Sequence, residues 1–344
     1  MHTARVGRRL ARTVRIPPGA LGAPDAIAVA GSRVWVANSA RETGRGGWVT
    51  ELSAATGALI RVIAGPRYAL ADPRALAVVG NTLWVAGGSG NSVTEINATT
   101  GALIRVIAGP RYQFADPGAI AADGASVWVA NGGSNSLTEI SAGTGALIRV
   151  IAAQRYRLNT TVYAPAIAAA GGRVWVPGGN SDSVTEINGV TGALIRVIAG
   201  PRYQLNGPDE IAVAGNRVWV VDVDSSSVTE IDAATGALIR VIAPLPNVPF
   251  AVTADRAGVW LVTNLGEKAV DGTRPRGSVA ELSPSTGQLI RNVARPPLRA
   301  GIPGGAITAT GADVWVTGMN FYSYRGWAAE LSASTGALVR VVIG

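Results

Sequence analysis

The sequence predicts an all-β protein, a seven-bladed β-propeller of four-stranded antiparallel blades, and three observations carry that prediction. The phrase Thr-Gly-Ala-Leu-Ile-Arg-Val begins at Thr56, Thr100, Thr144, Thr191 and Thr235, and returns in altered form at Thr286 and Thr335, seven copies set 44 to 51 residues apart. Ahead of each copy stands a tryptophan in an apolar run: Trp35, Trp84, Trp128, Trp175, Trp219, Trp260 and Trp315. The apolar residues come in short runs of four to six, broken by Gly, Asn, Ser and Asp. A fixed period of this size marks a repeat architecture, and runs this short, bounded by turn residues, are strands buried on both faces.

Residues 73 to 109 show one unit in order. Pro73 opens the apolar run Ala75–Val79, the first strand. Gly80-Asn81 is a tight-turn dipeptide of the hairpin type. The second strand, Thr82–Ala86, holds Trp84. A polar loop from Gly87 to Asn91 leads to the third strand, Ser92–Ile96. Asn97 to Gly101 turns the chain, and Gly101 can take a positive φ. The fourth strand is Ala102–Ile107, and a longer connection, Ala108 to Asp116, reaches the next unit. A four-stranded blade cannot bury both its faces alone. Packing neighbours on each side and closing the ring solves this, and leaves only short edges. Side chains alternate along a strand, so the tryptophan and its aliphatic neighbours are expected to serve opposite faces.

Two charges recur with the repeat. Glu51, Glu95, Glu139, Glu186, Glu230, Glu281 and Glu330 fall in third strands; Arg61, Arg105, Arg149, Arg196, Arg240, Arg291 and Arg340 fall in fourth strands. They are expected to pair across the hairpin, at about 0.2–1 kcal/mol each. A surplus strand-like segment, Arg12–Ile16, precedes the first unit. It is either a fifth strand on blade 7 or a replacement for the C-terminal one.

At 344 residues, with 48 % hydrophobic and 15 % charged residues, the chain has ample material for one core, and residues 12–344 are expected to form a single propeller domain. No apolar run reaches the ~18 to 20 residues of a membrane span. There is no cysteine, which removes disulfide and thiolate chemistry. The compartment stays open. The formal net charge is +8, and Arg5, Arg8, Arg9, Arg12 and Arg15 supply five of those charges, leaving +3 for the body. Residues 1–11 are therefore expected to be a basic flexible tail rather than a nucleic-acid interface, which needs a basic face with stacking aromatics. The chain is expected to be monomeric, with no nucleic-acid partner.

The only histidine is His2. Ser–His–Asp catalysis and imidazole chemistry are thereby excluded from the body, no phosphate loop has the expected spacing, and no cofactor is expected. A carboxylate site stays open. Asn38, Asn131, Asp222 and Asn264 end second strands, and Asp25, Asp209 and Glu210 begin first strands. Both places lie near the mouth of a propeller's channel, where oxygen ligands suit a hard cation. The same residues also satisfy turn backbone, which is the reading adopted, so no metal ligand is assigned.

Connections after the second and fourth strands emerge on one face. Three second-to-third loops are long: Ser39–Trp48, Leu265–Gly277 and Gly318–Trp327. They belong to blades 1, 6 and 7, neighbours in a closed ring, and so form one crest. Trp48, Arg274, Arg276, Phe321, Tyr322, Tyr324, Arg325 and Trp327 in it are the candidate binding residues, because Trp, Tyr and Arg dominate binding hot spots. These aromatics could equally cover the edge of the core. On the opposite arc, Arg67-Tyr68, Arg111-Tyr112, Arg155-Tyr156 and Arg202-Tyr203 recur, either as plugs wedged between blades or as repeated pockets for a glycan or peptide. The plug is the expectation.

The unit, with its Val-Trp-Val-Ala-Asn, Asn-Ser-Val-Thr-Glu-Ile and Thr-Gly phrases, resembles the YVTN-type propeller repeats of bacterial proteins, and more distantly NHL and streptogramin-lyase-like propellers, over about residues 13 to 344. The resemblance implies the propeller fold. It is silent on activity, since that superfamily holds lactonases, lyases, surface proteins and binding modules. The expectation is a non-catalytic module that recognises a protein, peptide or glycan partner through its loop-rich face, as the sensing or docking part of a larger protein. The alternative is a lactonase- or lyase-like hydrolase using channel-mouth carboxylates.

Overall fold

In a computed structural model, residues 11–39, 46–152, 154–158, 166–264, 277–294, 305–320 and 325–344 are described. They form seven antiparallel sheets in sequence order. Blade 2 is representative: Pro73–Val79, Thr82–Gly87, Ser92–Asn97 and Leu103–Ala108 pair in succession from the inside out. First strands of consecutive blades touch one another around the axis, and the first strand of blade 7 (Ile307–Ala309) touches that of blade 1 (Ala23–Ala30), which closes the ring.

The alternation of side chains explains why the blades stack. Trp84 packs with Val127, Val129 and Ile140 of blade 3, whereas Leu83 and Val85 pack with Trp35, Val49 and Ile63 of blade 1. The same division recurs at every junction. Trp315 of blade 7 completes it against Ile27, Val34 and Val36 of blade 1. All seven of these tryptophans are at most 2 % exposed. The core is thus seven apolar layers between blades rather than one central mass.

The repeated glutamates and arginines stand directly opposite one another in all seven blades. Each glutamate is at most 5 % exposed, because the tryptophan on one side and the arginine on the other cover it. In blades 1, 4 and 5 a second arginine, Arg33, Arg173 or Arg217 at the head of the second strand, also reaches the carboxylate. The fourth-strand arginine has another partner. In blades 1 to 6 it donates to a carbonyl in the turn of the next blade, as from Arg61 to Thr99 at 2.9 Å and from Arg240 to Ser285 at 2.8 Å. Gly101 in that turn has φ +70°, and a Cβ there would lie 2.8 Å from Arg61. The recurring glycine is required both by conformation and by the arginine lying on it.

The surplus segment is a fifth strand, not a replacement. Arg12–Arg15 runs parallel to the C-terminal strand Leu338–Ile343, pairing Arg12 with Arg340 through Arg15 with Ile343 on the outside of blade 7. Ile16 N–H donates to Ile343 O at 3.0 Å, and the Ile16 side chain enters the 7–1 layer. The sequence also gave no hint of the short 3-10 turns in four outer connections, Pro66–Tyr68, Pro110–Tyr112, Gln154–Tyr156 and Pro201–Tyr203.

Candidate functional site

The face carrying the second-to-third loops is built by handing hydrogen bonds from blade to blade. Asn91, at φ +46° in the loop of blade 2, accepts from Asp116 N–H in the connection to blade 3 at 2.8 Å. Asp182 of blade 4 accepts from Gly207 N–H at 3.1 Å. Such short polar turns tolerate a left-handed residue because Asn and Asp do so at low cost.

Of the residues that end second strands, Asn38, Asn131 and Asp222 are fully buried; the side chain of Asn264 lies outside the described residues. Asn38 Nδ2 donates to Val36 O and to Thr50 Oγ1, both at 3.0 Å, while its Oδ1 accepts from Gly22 N–H at 3.0 Å. Asn131 donates to Thr138 Oγ1 at 3.0 Å and to Ser136 Oγ at 3.1 Å. Asp222 takes this place in blade 5, accepting from Thr229 Oγ1 at 2.9 Å and from Asn206 N–H at 3.4 Å. It is 0 % exposed. Desolvation pushes its carboxyl up to about 7, against the two hydrogen bonds, with the charge of Asp182 adding to the rise. Asn38 and Asp222 each accept one backbone N–H, whereas Asn131 ties its strand end to Ser136 and Thr138 and its Oδ1 has no hydrogen-bond partner among the described residues.

The first strands differ at one register position. Asp25, Arg74, Gly118, Asp209 and Phe250 are the residues that the register skips at the bulge near the start of the first strand in blades 1, 2, 3, 5 and 6, and Gly305 stands before Ile307 in blade 7 as Asp25 does before Ile27. The strands are innermost and enter from this face, so the set rings the mouth of the channel. Arg74 bridges two blades, with Nε 2.8 Å from Asp72 and Nη1 2.8 Å from Asp116. Phe250 is 37 % exposed. One residue further on, Glu210 occupies the position that holds alanine in the other six blades: Ala26, Ala75, Ala119, Ala166, Ala251 and Ala306. Burial pushes the Glu210 carboxyl up to about 8, and the adjacent Asp209 charge raises it further against a hydrogen bond from Ile211 N–H. Among the described residues no group of three or more His, Cys, Asp or Glu could hold a metal ion, and no helix is long and apolar enough to cross a membrane.

Of the crest residues, Trp48, Arg325 and Trp327 are placed. Trp48 is half-buried. Its Nε1 donates to Ala20 O at 3.0 Å, and its ring lies so close over Gly22 that a Cβ there would be 2.6 Å from it. Trp327 is 5 % exposed and packs in the layer between blades 6 and 7. Arg325, at the head of the third strand of blade 7, is exposed. Gly326 N–H donates to Leu21 O at 3.4 Å, which joins blades 7 and 1 under the crest. Arg274, Arg276, Phe321, Tyr322 and Tyr324 lie outside the described residues. Sequence reasoning passed over Arg74 and Phe250, because only the strand register shows that they share a ring with Asp25 and Asp209.

No protein-family model matches the chain, and no curated protein matches it. Solved structures do. The virginiamycin B lyase from Staphylococcus aureus is similar at 18 % identity, over 77 % of this chain and 82 % of that one, with a TM-score of 0.58. The WD40 repeats of RRP9 are similar at 12 % identity, over 86 % and 87 %, with a TM-score of 0.64. The Kuenenia stuttgartiensis hydrazine synthase is similar at 19 % identity, over 75 % and 76 %, with a TM-score of 0.57. At these identities the likeness shows the propeller fold alone.

Proposed function

We propose that the chain is a non-catalytic binding module that recognises a protein, peptide or glycan through its loop-rich face, as the docking part of a larger protein. The observation that carries this reading is the concentration of blade-specific residues on that face. The opposite face is assembled from near-identical Thr-Gly turns, and the repeated glutamates are spent on arginine. WD40 propellers such as those similar to this chain commonly serve as protein-interaction modules. Rigid blades that present irregular loops suit the same use. With Trp327 in the core and the Trp48 ring nitrogen committed, the contact residues fall to Phe321, Tyr322, Tyr324, Arg325, Arg274 and Arg276. The test is selection of ligands from peptide and glycan libraries on the intact protein. Selected ligands should lose most of their affinity for Tyr322→Ala/Tyr324→Ala/Arg325→Ala while its melting temperature stays unchanged. Undiminished binding overturns the reading.

A specific observation favours a second reading, a carboxylate hydrolase. Glu210 is a blade-specific carboxyl at the channel mouth, held protonated near neutrality as a general acid would be. Hydrolysis of simple lactones or esters, abolished in Glu210→Gln, would select it.

A further inference from the structure

The outer connections between blades carry an inference of their own. At the junctions of blades 1–2, 2–3, 3–4 and 4–5, the Tyr of each outer 3-10 turn is buried to between 4 and 5 % exposure. Its hydroxyl donates to the turn glycine of the next blade: Tyr68 to Gly101 O at 2.9 Å, Tyr112 to Gly145 O at 3.0 Å, Tyr156 to Gly192 O at 3.0 Å and Tyr203 to Gly236 O at 2.8 Å. The tyrosines are therefore plugs. The arginine before each one is something else. Arg67, Arg111, Arg155 and Arg202 are exposed, yet each guanidinium lies over its tyrosine ring, 4.7 to 5.1 Å from the centroid. Each also donates to the tyrosine oxygen, at 2.7 Å for Arg202. Among the ion pairs of the described residues, none involves these four.

At the 4–5 junction a cleft of about 300 Å³ opens beside this arginine. Arg196, Arg202, Tyr203, Thr235 and Gly236 border it, and no Asp or Glu lines it. A separate cleft between blades 3 and 4, which Arg149 also borders, holds Asp123 and Glu139, and one between blades 5 and 6 holds Asp232 and Asp255. Arg196 shares Glu186 with Arg173, so one carboxylate meets two guanidinium groups and the wall stays positive. The same residue types recur at the other three junctions, with Arg61, Arg67 and Thr100 at the first, Arg105, Arg111 and Thr144 at the second, and Arg149, Arg155 and Thr191 at the third; there Arg105 and Arg149 are each matched by one glutamate, so the charge left over is that of Arg67, Arg111 and Arg155. The 5–6 connection has Pro244-Leu245-Pro246 instead, and the entry to blade 1 has Pro17-Pro18. The cations thus form an arc one blade apart over part of the wall.

We propose that this arc, built on Arg67, Arg111, Arg155 and Arg202, binds a linear anionic polysaccharide laid across the blade junctions. A guanidinium already held by a ring and a hydroxyl loses little freedom on meeting a sulfate or carboxylate. One such contact is weak, but several in register give avidity. Identical sites at a fixed interval match a polymer with regularly repeated charge better than a peptide of mixed sequence. Bases would need open aromatic faces, and here the rings lie beneath the arginines. The turn threonines and backbone offer neutral polar groups to sugar hydroxyls.

The test measures binding of the full chain to long dextran sulfate at near-physiological salt, with neutral dextran and charge-matched polyglutamate as comparisons. Two triple variants remove equal charge: Arg67→Gln/Arg111→Gln/Arg202→Gln on the wall, and Arg5→Gln/Arg8→Gln/Arg9→Gln in the N-terminal segment. The wall variant should bind about tenfold or more weaker and the other within about twofold, and a dextran sulfate fragment spanning one junction should bind far less tightly than the polymer. The single variant Arg202→Gln should give a smaller loss of the same sign. Equal loss in the two triples, equal binding of polyglutamate, or no binding of dextran sulfate overturns the proposal. Failure of the loop-face ligand selection would leave it standing, because the two surfaces share no residue.

Discussion

Glu95 and Arg105 face each other across the third and fourth strands of blade 2, with Arg105 Nε 2.7 Å from Glu95 Oε2, and the same guanidinium donates to Thr144 O in blade 3. One side chain therefore neutralises a buried acid and ties two blades together. Arg105→Ala strands the carboxylate and should cost about 3 kcal/mol. Glu95→Gln, which leaves the solvated arginine and its inter-blade bond, should cost clearly less. Replacing both by apolar residues of similar volume should recover part of the loss. Urea denaturation of the three variants checks the order, and equal costs for the two single changes would contradict it.

Stability should rise as pH falls from about 9 to about 5. Burial raises the carboxyls of Glu210 to about 8 and of Asp222 and Glu330 to about 7, and those of Glu95 and Glu281 in the same direction. A raised folded-state value means the folded chain binds more protons between the unfolded and folded values. Its stabilisation is full below about 4 and lost as pH rises through 7 to 8. Asp222→Asn places in blade 5 the residue that blades 1 and 3 use, with a donor for Thr229 Oγ1 like that of Asn38 for Thr50. It should stabilise by about 1–3 kcal/mol at pH 8, have little effect near pH 4, and flatten the profile. Thermal melts across pH would show this.

Tyr112 tests how much one junction is worth. Tyr112→Phe removes the bond to Gly145 O and the one accepted from Arg111, keeps the ring, and should cost about 1–2 kcal/mol. Tyr112→Ala empties the layer shared with Trp84, Phe114 and Ile140 and should cost about 3–5 kcal/mol. Similar costs for both would mean that the hydroxyl, not the ring, seals the junction.

Pairing of the N-terminal strand should be measurable at the far end of the chain. Val14 packs into the 7–1 layer and approaches Gly57 with Val342. Val14→Asp should destabilise by about 2–3 kcal/mol and hasten amide exchange in Leu338–Ile343, while exchange in blades 3 and 4 is unchanged. Uniform acceleration in all blades would refute a local role.

The architecture was readable because each blade repeats the same solution. Seven tryptophans, each 16 to 26 residues ahead of one of seven Thr-Gly turns, leave little freedom in strand number or order. The Glu–Arg register was legible for the same reason, but the burial of Glu51 or Glu230 was not, since it depends on the neighbouring blade's distance rather than on strand alternation. The placement of Arg12–Arg15 was undetermined because its sequence suits either edge. The candidate site was harder. Trp327 carries the same residue type whether it meets a ligand or a core, and only packing separates the two. Arg74 and Asp209 became members of one ring only through register.

The pairing of Arg12–Arg15 with Leu338–Ile343 has a consequence for synthesis. The earliest part of the circle to leave the ribosome must wait for the latest, because its partner strand is translated last. Until then blade 1 exposes the flank that Trp315 will cover. Any nascent chain stalled before blade 7 is an open arc with sticky ends, and such arcs should be the species that chaperones hold.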